Sequence, residues 1–149
     1  NGYWKNQAET DAAFLDGWVS VGDIARRDAE GYLYIIDRKK DMVISGGTNI
    51  YPREVENVLG QHPMILEAGV IGVPDEKWGE RLKAFVVISD EESFAPDQII
   101  SFAESHLAKY KVPKDFEVIS QLPRNANGKV LKAVLRERTQ TSINEEKVS

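Results

Sequence analysis

The stretch that decides the fold is residues 36–56, IDRKKDMVISGGTNIYPREVE. It joins a charged run (Asp37, Arg38, Lys39, Lys40, Asp41), a short apolar strand MVIS, a glycine pair at Gly46 and Gly47, and a helix start at Pro52. Proline suits the first helical turn because an amide there would have no partner in the helix, and Val55, Val58 and Leu59 follow at helical spacing. Glu54 and Glu56 fall near the positive end of that helix, a favourable placement. Ser45, Gly46 and Gly47 carry almost no side chain, so a thin ligand can pass close to the backbone. A tight turn from strand to helix would use the same glycines. The charged run is the best place for a domain boundary, although such runs are ordinarily solvated linkers.

Working outward, residues 18–36 alternate weakly and are interrupted by Asp28, Ala29, Glu30 and Gly31, which predicts a β-hairpin. Downstream, residues 66–73 and 81–88 are apolar runs of strand length separated by the punctuated loop PDEKWGE, and both read as buried on two faces. Pro96 and Asp97 open a helix whose core stripe is Ile99, Phe102, Ala103 and Leu107. A strand over 116–119, a loop containing NGK, a short helix over 130–138 and a frayed polar tail complete the chain. The fold class is α+β: an N-terminal hairpin segment, then a small sheet flanked by helices.

Two further motifs carry chemistry. In VGD at 21–23, Asp23 follows Gly22, and a carboxylate at such a position can accept hydrogen bonds from a ribose diol; a lone GD pair is more often an ordinary turn. In PRNANGKVLK at 123–132, Pro123 stiffens the entry while Asn125, Asn127 and Gly128 tolerate positive φ, which places Lys129 at the tip of an extended loop. A long cationic arm of that kind reaches a distant phosphate, whereas an isolated NGK is ordinarily a solvated lysine in a turn.

In this order and at this spacing, VGD, DRKKDMVISGG and PRNANGKVLK resemble the C-terminal motifs of adenylate-forming (AMP-binding) enzymes, the superfamily of acyl-CoA synthetases, luciferases and peptide-synthetase adenylation domains. The resemblance runs over residues 1–139. It implies that Lys129 contacts the acyl carboxylate and the α-phosphate, that Asp23 holds the ribose of ATP or AMP, and that Arg38 reaches the same nucleotide. It makes Lys40, two residues after that arginine, the hinge between two domain orientations, and it brings Ser45, Gly46 and Gly47 to the pantetheine of CoA. Some members carry a lysine where this chain has Ile44, so a second catalytic lysine there is not implied. The implied layout is the end of a large N-terminal domain over 1–38, a mobile C-terminal domain over 39–139 and a polar tail over 140–149.

The implied function is the C-terminal part of an ATP-dependent acyl-CoA synthetase that activates a fatty or aromatic carboxylic acid as acyl-AMP and passes it to CoA. Mg2+ would be held mainly by the N-terminal domain, which is also the main partner. Two alternatives are an adenylation enzyme that loads a carrier protein and a free-standing docking module. The first residue is Asn1, and no Gly/Ser/Thr-rich phosphate loop occurs, so a fragment of a longer protein is expected.

Bulk properties narrow the classes. A net charge of -5 and a pI near 5.1 argue against a nucleic-acid or acidic-membrane surface. The chain has no cysteine, and His62 and His106 alone cannot make a structural zinc site, so no metal site is expected. No apolar run approaches the roughly 20 residues that span a bilayer, and the cytoplasm is the expected compartment. His62 reads as a helix-terminal residue, Trp78 as a residue packed on the sheet or against a partner, and Lys109, Lys111 and Lys114 as solvated, with the 3'-phosphate of CoA as their alternative partner.

Overall fold

The computed structural model describes residues 2–89 and 95–146. The chain divides into two compact units, Asn1–Lys40 and Asp41–Ser149.

In the first unit, helix α1 (Gln7–Ala13) is capped by Asn6, whose side chain accepts from the Glu9 amide. It buries none of its residues. Strands β1 (Phe14–Leu15) and β2 (Trp18–Val19) pair through a two-residue turn in which Asp16 and Gly17 both have positive φ. Strands β3 (Asp23–Arg27) and β4 (Leu33–Arg38) form the expected hairpin, closed by Asp28, whose carboxylate accepts from the amides of Glu30 and Tyr32. The hairpin begins at Asp23 rather than at residue 18, because Trp18 and Val19 pair backwards with β1. This unit buries no hydrophobic side chain; Trp4, Leu15, Trp18, Val21 and Leu33 are all more than 70% exposed or at that value.

Among the described residues, every buried core hydrophobic lies in the second unit, from Val43 onward. After a 3-10 turn at Lys39–Asp41, strand β5 (Val43–Ser45) turns at Gly46 and Gly47 into β6 (Thr48–Ile50), and α2 (Pro52–Leu59) follows. The glycine turn therefore closes a hairpin instead of leading straight into the helix. Ser45 pairs with Thr48, and Gly46 and Gly47 have φ of 55° and 77°, the double positive φ that a two-residue hairpin turn needs.

Strands β7 (Ile65–Asp75) and β8 (Gly79–Ile88) pair antiparallel along their length. The other edge of β8 takes β5 at Gly79 and then β9 (Asp115–Val118), which runs parallel to it. Alternate residues of β7 and β8 feed two cores. Val70, Leu82, Ala84, Val86 and Ile88 meet α2 and α3 (Pro96–His106), whereas Ile71, Val73 and Phe85 meet Leu135 of α4 (Lys132–Glu146). Burial on both faces is why the strands read as continuous apolar runs. Helix α4 starts two residues later and runs well past the expected 138, into the polar segment expected to fray; it turns Leu135 and Thr139 inward, with the Thr139 hydroxyl donating to the Leu135 carbonyl. Residues 147–149 of that segment lie outside the described residues.

Strand β9 is registered by charge. Lys83, almost buried on β8, lies 2.8 Å from Glu117, which also accepts from Arg138 at 2.6 Å. Burial alone would raise the Glu117 pKa, but the hydrogen bonds and charges of Lys83 and Arg138 outweigh it and hold the carboxyl below its ordinary 4.5. A carboxyl lowered in the folded state stabilises the fold above its ordinary value and loses that contribution as pH falls through the lowered value. The Tm difference between the native chain and Glu117→Gln should thus be largest above pH 4.5 and shrink on acidification. A difference that is constant through the acid range would contradict this.

Candidate functional site

In the first unit, Asp23 opens β3 directly opposite Arg38 at the end of β4, and the guanidinium Nε lies 3.3 Å from the Asp23 carboxylate. Both remain partly exposed, so neither is consumed by the pair. The Lys39 amide donates to the Gly22 carbonyl at 2.8 Å, and Gly22 has φ of 75°, which lets the two segments close at this point. Gly22, Arg38, Lys39 and Lys40 line one open hollow. Arg38 supplies planar donors and Asp23 acceptors, the complement of a phosphorylated sugar. Lys40 is exposed and is the last residue of its unit.

In the second unit the Lys129 loop is a tight hairpin. Arg124 pairs with Val130 across it, and the Leu131 amide donates to the Pro123 carbonyl at 2.8 Å. Asn125 holds Lys129 from both sides: its amide donates to the Lys129 carbonyl, and its side-chain oxygen accepts from the Lys129 amide, each at 2.9 Å. That oxygen also accepts from the Asn127 amide. Only Gly128 has positive φ, so Asn125 acts through its side chain and not through backbone tolerance. Lys129 accordingly sits just past the turn and not at its tip. Its side chain is exposed, and its ammonium forms no ion pair among the described residues.

The Gly46–Gly47 turn lies at the start of β8. The Gly46 amide donates to the Trp78 carbonyl at 2.9 Å, and a Cβ on Gly46 would stand 2.8 Å from the Trp78 ring. Ser45, Gly46, Thr48, Trp78, Arg81, Lys109, Tyr110 and Lys114 line a single hollow of about 340 Å³. Lys109 and Lys114 stay exposed to solvent and border this hollow. Lys111 points elsewhere, into a two-pronged contact with Glu54 at 2.7 and 2.8 Å. Tyr110 and Arg81 escaped the sequence reading, because Arg81 nears the glycines only through the pairing of β5 with β8 at Gly79, and Tyr110 only through the hollow they share. Trp78 packs on the glycine turn while remaining 45% exposed. His62 follows α2, is buried, accepts from the Met64 amide and stands edge-on to Phe102.

The two loops occupy opposite ends of the central strands. Gly79 pairs with Ser45 beside the glycine turn, while Glu67, which binds Arg124 of the lysine loop, stands opposite Val87. From Gly79 to Val87 the strand spans about 26 Å at its usual rise. Among the described residues no helix is long and apolar enough to cross a membrane.

These features match known proteins. The chain is 47% identical over 141 residues to the long-chain-fatty-acid–CoA ligase of Mycobacterium tuberculosis, covering 95% of this chain and 28% of that protein. It is 44% identical over 137 residues to the 2-succinylbenzoate–CoA ligase of Listeria monocytogenes, covering 92% and 29%. Among solved structures, the o-succinylbenzoate CoA synthetase of Bacillus subtilis, in complex with its acyl-adenylate intermediate, matches with a TM-score of 0.84 and 42% identity over 91% of this chain and 28% of that one. The chain thus spans less than a third of the length of these relatives. The profile of the AMP-binding enzyme C-terminal domain matches residues 54–129, just over half of the sequence. The chain belongs to the AMP-binding enzyme C-terminal domain family.

Proposed function

We propose that this chain is the C-terminal part of an ATP-dependent acid–CoA ligase that forms an acyl-adenylate and then a CoA thioester. The observation that carries the reading is the placement of a lysine without an ion pair among the described residues and a glycine-lined cationic hollow at opposite ends of one strand pair. Two loops anchored at strand positions about 26 Å apart are poorly placed to serve one reaction centre together, but a domain that presents them in turn can serve two successive steps.

In the first step Lys129 meets the acyl carboxylate and the α-phosphate and offsets charge as the mixed anhydride forms. Asp23 accepts from the ribose hydroxyls, and Arg38 donates to the same nucleotide. In the second step the Gly46–Gly47 turn lies along the pantetheine, where its missing side chains leave room, while Lys109 and Lys114 face the CoA phosphates. Lys40 is the hinge. Residues 1–38 complete a large N-terminal domain, 39–139 form the mobile domain and 140–149 its polar tail. The exposed aromatic and aliphatic side chains of the first unit support this layout, since so much apolar surface requires a covering body. That body is the main partner. The Mg2+ that accompanies ATP is assigned mainly to the N-terminal domain of the parent.

The acid is a fatty or aromatic one, in keeping with the relatives named above, and the compartment is the cytoplasm, where ATP and CoA are abundant. The thioester half of the reading is tested by Gly46→Val in the full-length protein. The new Cβ would press on Trp78 at a backbone φ of 55°, closing the path along the turn. Thioester formation from preformed acyl-AMP should fall roughly 100-fold, with ATP–pyrophosphate exchange retained. An unchanged thioester rate would remove CoA from this hollow.

A further inference from the structure

We infer that the lysine loop is carried on a two-point mount, Arg124 to Glu67 and Lys132 to Glu56, and that these side chains are positioning residues for Lys129. The inference rests on the role proposed for Lys129 above. Arg124 is a fork: one nitrogen binds Glu67 on β7 at 2.7 Å and the other donates to the Gly128 carbonyl inside the loop. It therefore couples the residue preceding Lys129 to the sheet. On the far side, Lys132 is the first residue of α4, where the helix dipole disfavours a cation. It is nonetheless mostly buried, 2.7 Å from Glu56. The same Glu56 oxygen accepts from the Val70 amide at 2.8 Å, and that amide points outward from the free edge of β7. Both flanks of the loop are thereby tied to one strand, at Glu67 and Val70.

A long lysine on a loose loop would lose its orientation, and small displacements of a charged group from its working position are costly in rate. The exposed Arg124–Glu67 pair adds little to overall stability by itself, so its value lies in geometry. The mount predicts that the two ties act together, each partly compensating for loss of the other.

The test uses the full-length protein with a long-chain fatty acid or 2-succinylbenzoate, ATP–pyrophosphate exchange for the first step and thioester formation from preformed acyl-AMP for the second. Arg124→Gln and Lys132→Met should each lower the exchange kcat by roughly threefold to fivefold, and the double variant by roughly 100-fold, more than the product of the two single losses, with KM for ATP within about twofold. Thioester formation should stay near the parent value, as should Tm in Arg124→Gln, whereas Lys132→Met leaves the largely buried Glu56 carboxylate without its counter-ion and should lower Tm; amide hydrogen exchange at Gly128 and Lys129 should quicken in both. Arg124→Lys keeps the tie to Glu67 but not the fork, and should recover only part of the rate. Lys129→Ala is the control. If it leaves exchange intact, the proposed function fails; if it abolishes exchange while the double variant does not slow it, or slows both steps alike, the mount is overturned.

Discussion

Replacing Lys129 by alanine in the full-length protein is expected to slow acyl-adenylate formation by roughly 100- to 1,000-fold, the usual cost of removing one charge-stabilising contact from a transition state. The loop that presents it is built for the purpose: Asn125 clamps the Lys129 backbone on both sides, and the ammonium itself has no ion pair among the described residues. An amine left without a partner in the free domain can be committed to charge that develops elsewhere. Thioester formation from preformed acyl-AMP should be nearly unaffected, because the glycine turn proposed to serve it is anchored at the other end of β8. Stability should also be unaffected, since the side chain is exposed. A variant that loses stability along with both half-reactions would point to a structural lysine.

The second large effect is expected at Lys40, where backbone freedom matters more than charge. Lys40 is exposed and ends the first compact unit, with Asp41 opening the second. On the second side the proposed pivot adjoins a held residue, since the Asp41 carboxylate lies 2.9 Å from Arg136 of α4. The proposed rotation would be taken up by the few residues before Asp41. Lys40→Ala keeps both torsions free and should be mild. Lys40→Pro fixes φ near -65° and restricts Lys39 as well. Adenylation should survive, while thioester formation should fall roughly 100-fold because the acceptor face is no longer brought into position. Alanine and proline variants that behave alike in both half-reactions would leave Lys40 an ordinary linker residue.

Much of the second unit was legible in the sequence, and the reason is physical. The runs at 66–73 and 81–88 are apolar without alternation because β7 and β8 are packed on both faces, with Val70, Ile71, Ala84, Phe85 and Val86 fully buried. Strand β6 was not legible: TNI is three residues long, two of them exposed, and the glycine pair served a turn into a helix just as well as a hairpin. Helix α1 left only its Asn6 cap as a signal, because it buries nothing. The length of α4 depends on Leu135 and Thr139 meeting the sheet, a tertiary contact that a polar segment conceals. At the candidate site, the motifs marked Asp23, Arg38, Lys129 and the glycines. They could not separate Lys109 and Lys114 from Lys111, because the separation is made by Glu54, 57 residues away along the chain.

The central claim is that one domain presents two different loops to two successive reactions. The most direct measurement compares both half-reactions in Lys129→Ala and Gly46→Val of the full-length protein, ATP–pyrophosphate exchange beside thioester formation from preformed acyl-AMP. A crossed pattern is predicted, with the lysine variant losing exchange alone and the glycine variant losing thioester formation alone. Loss of the same half-reaction in both variants would contradict the account.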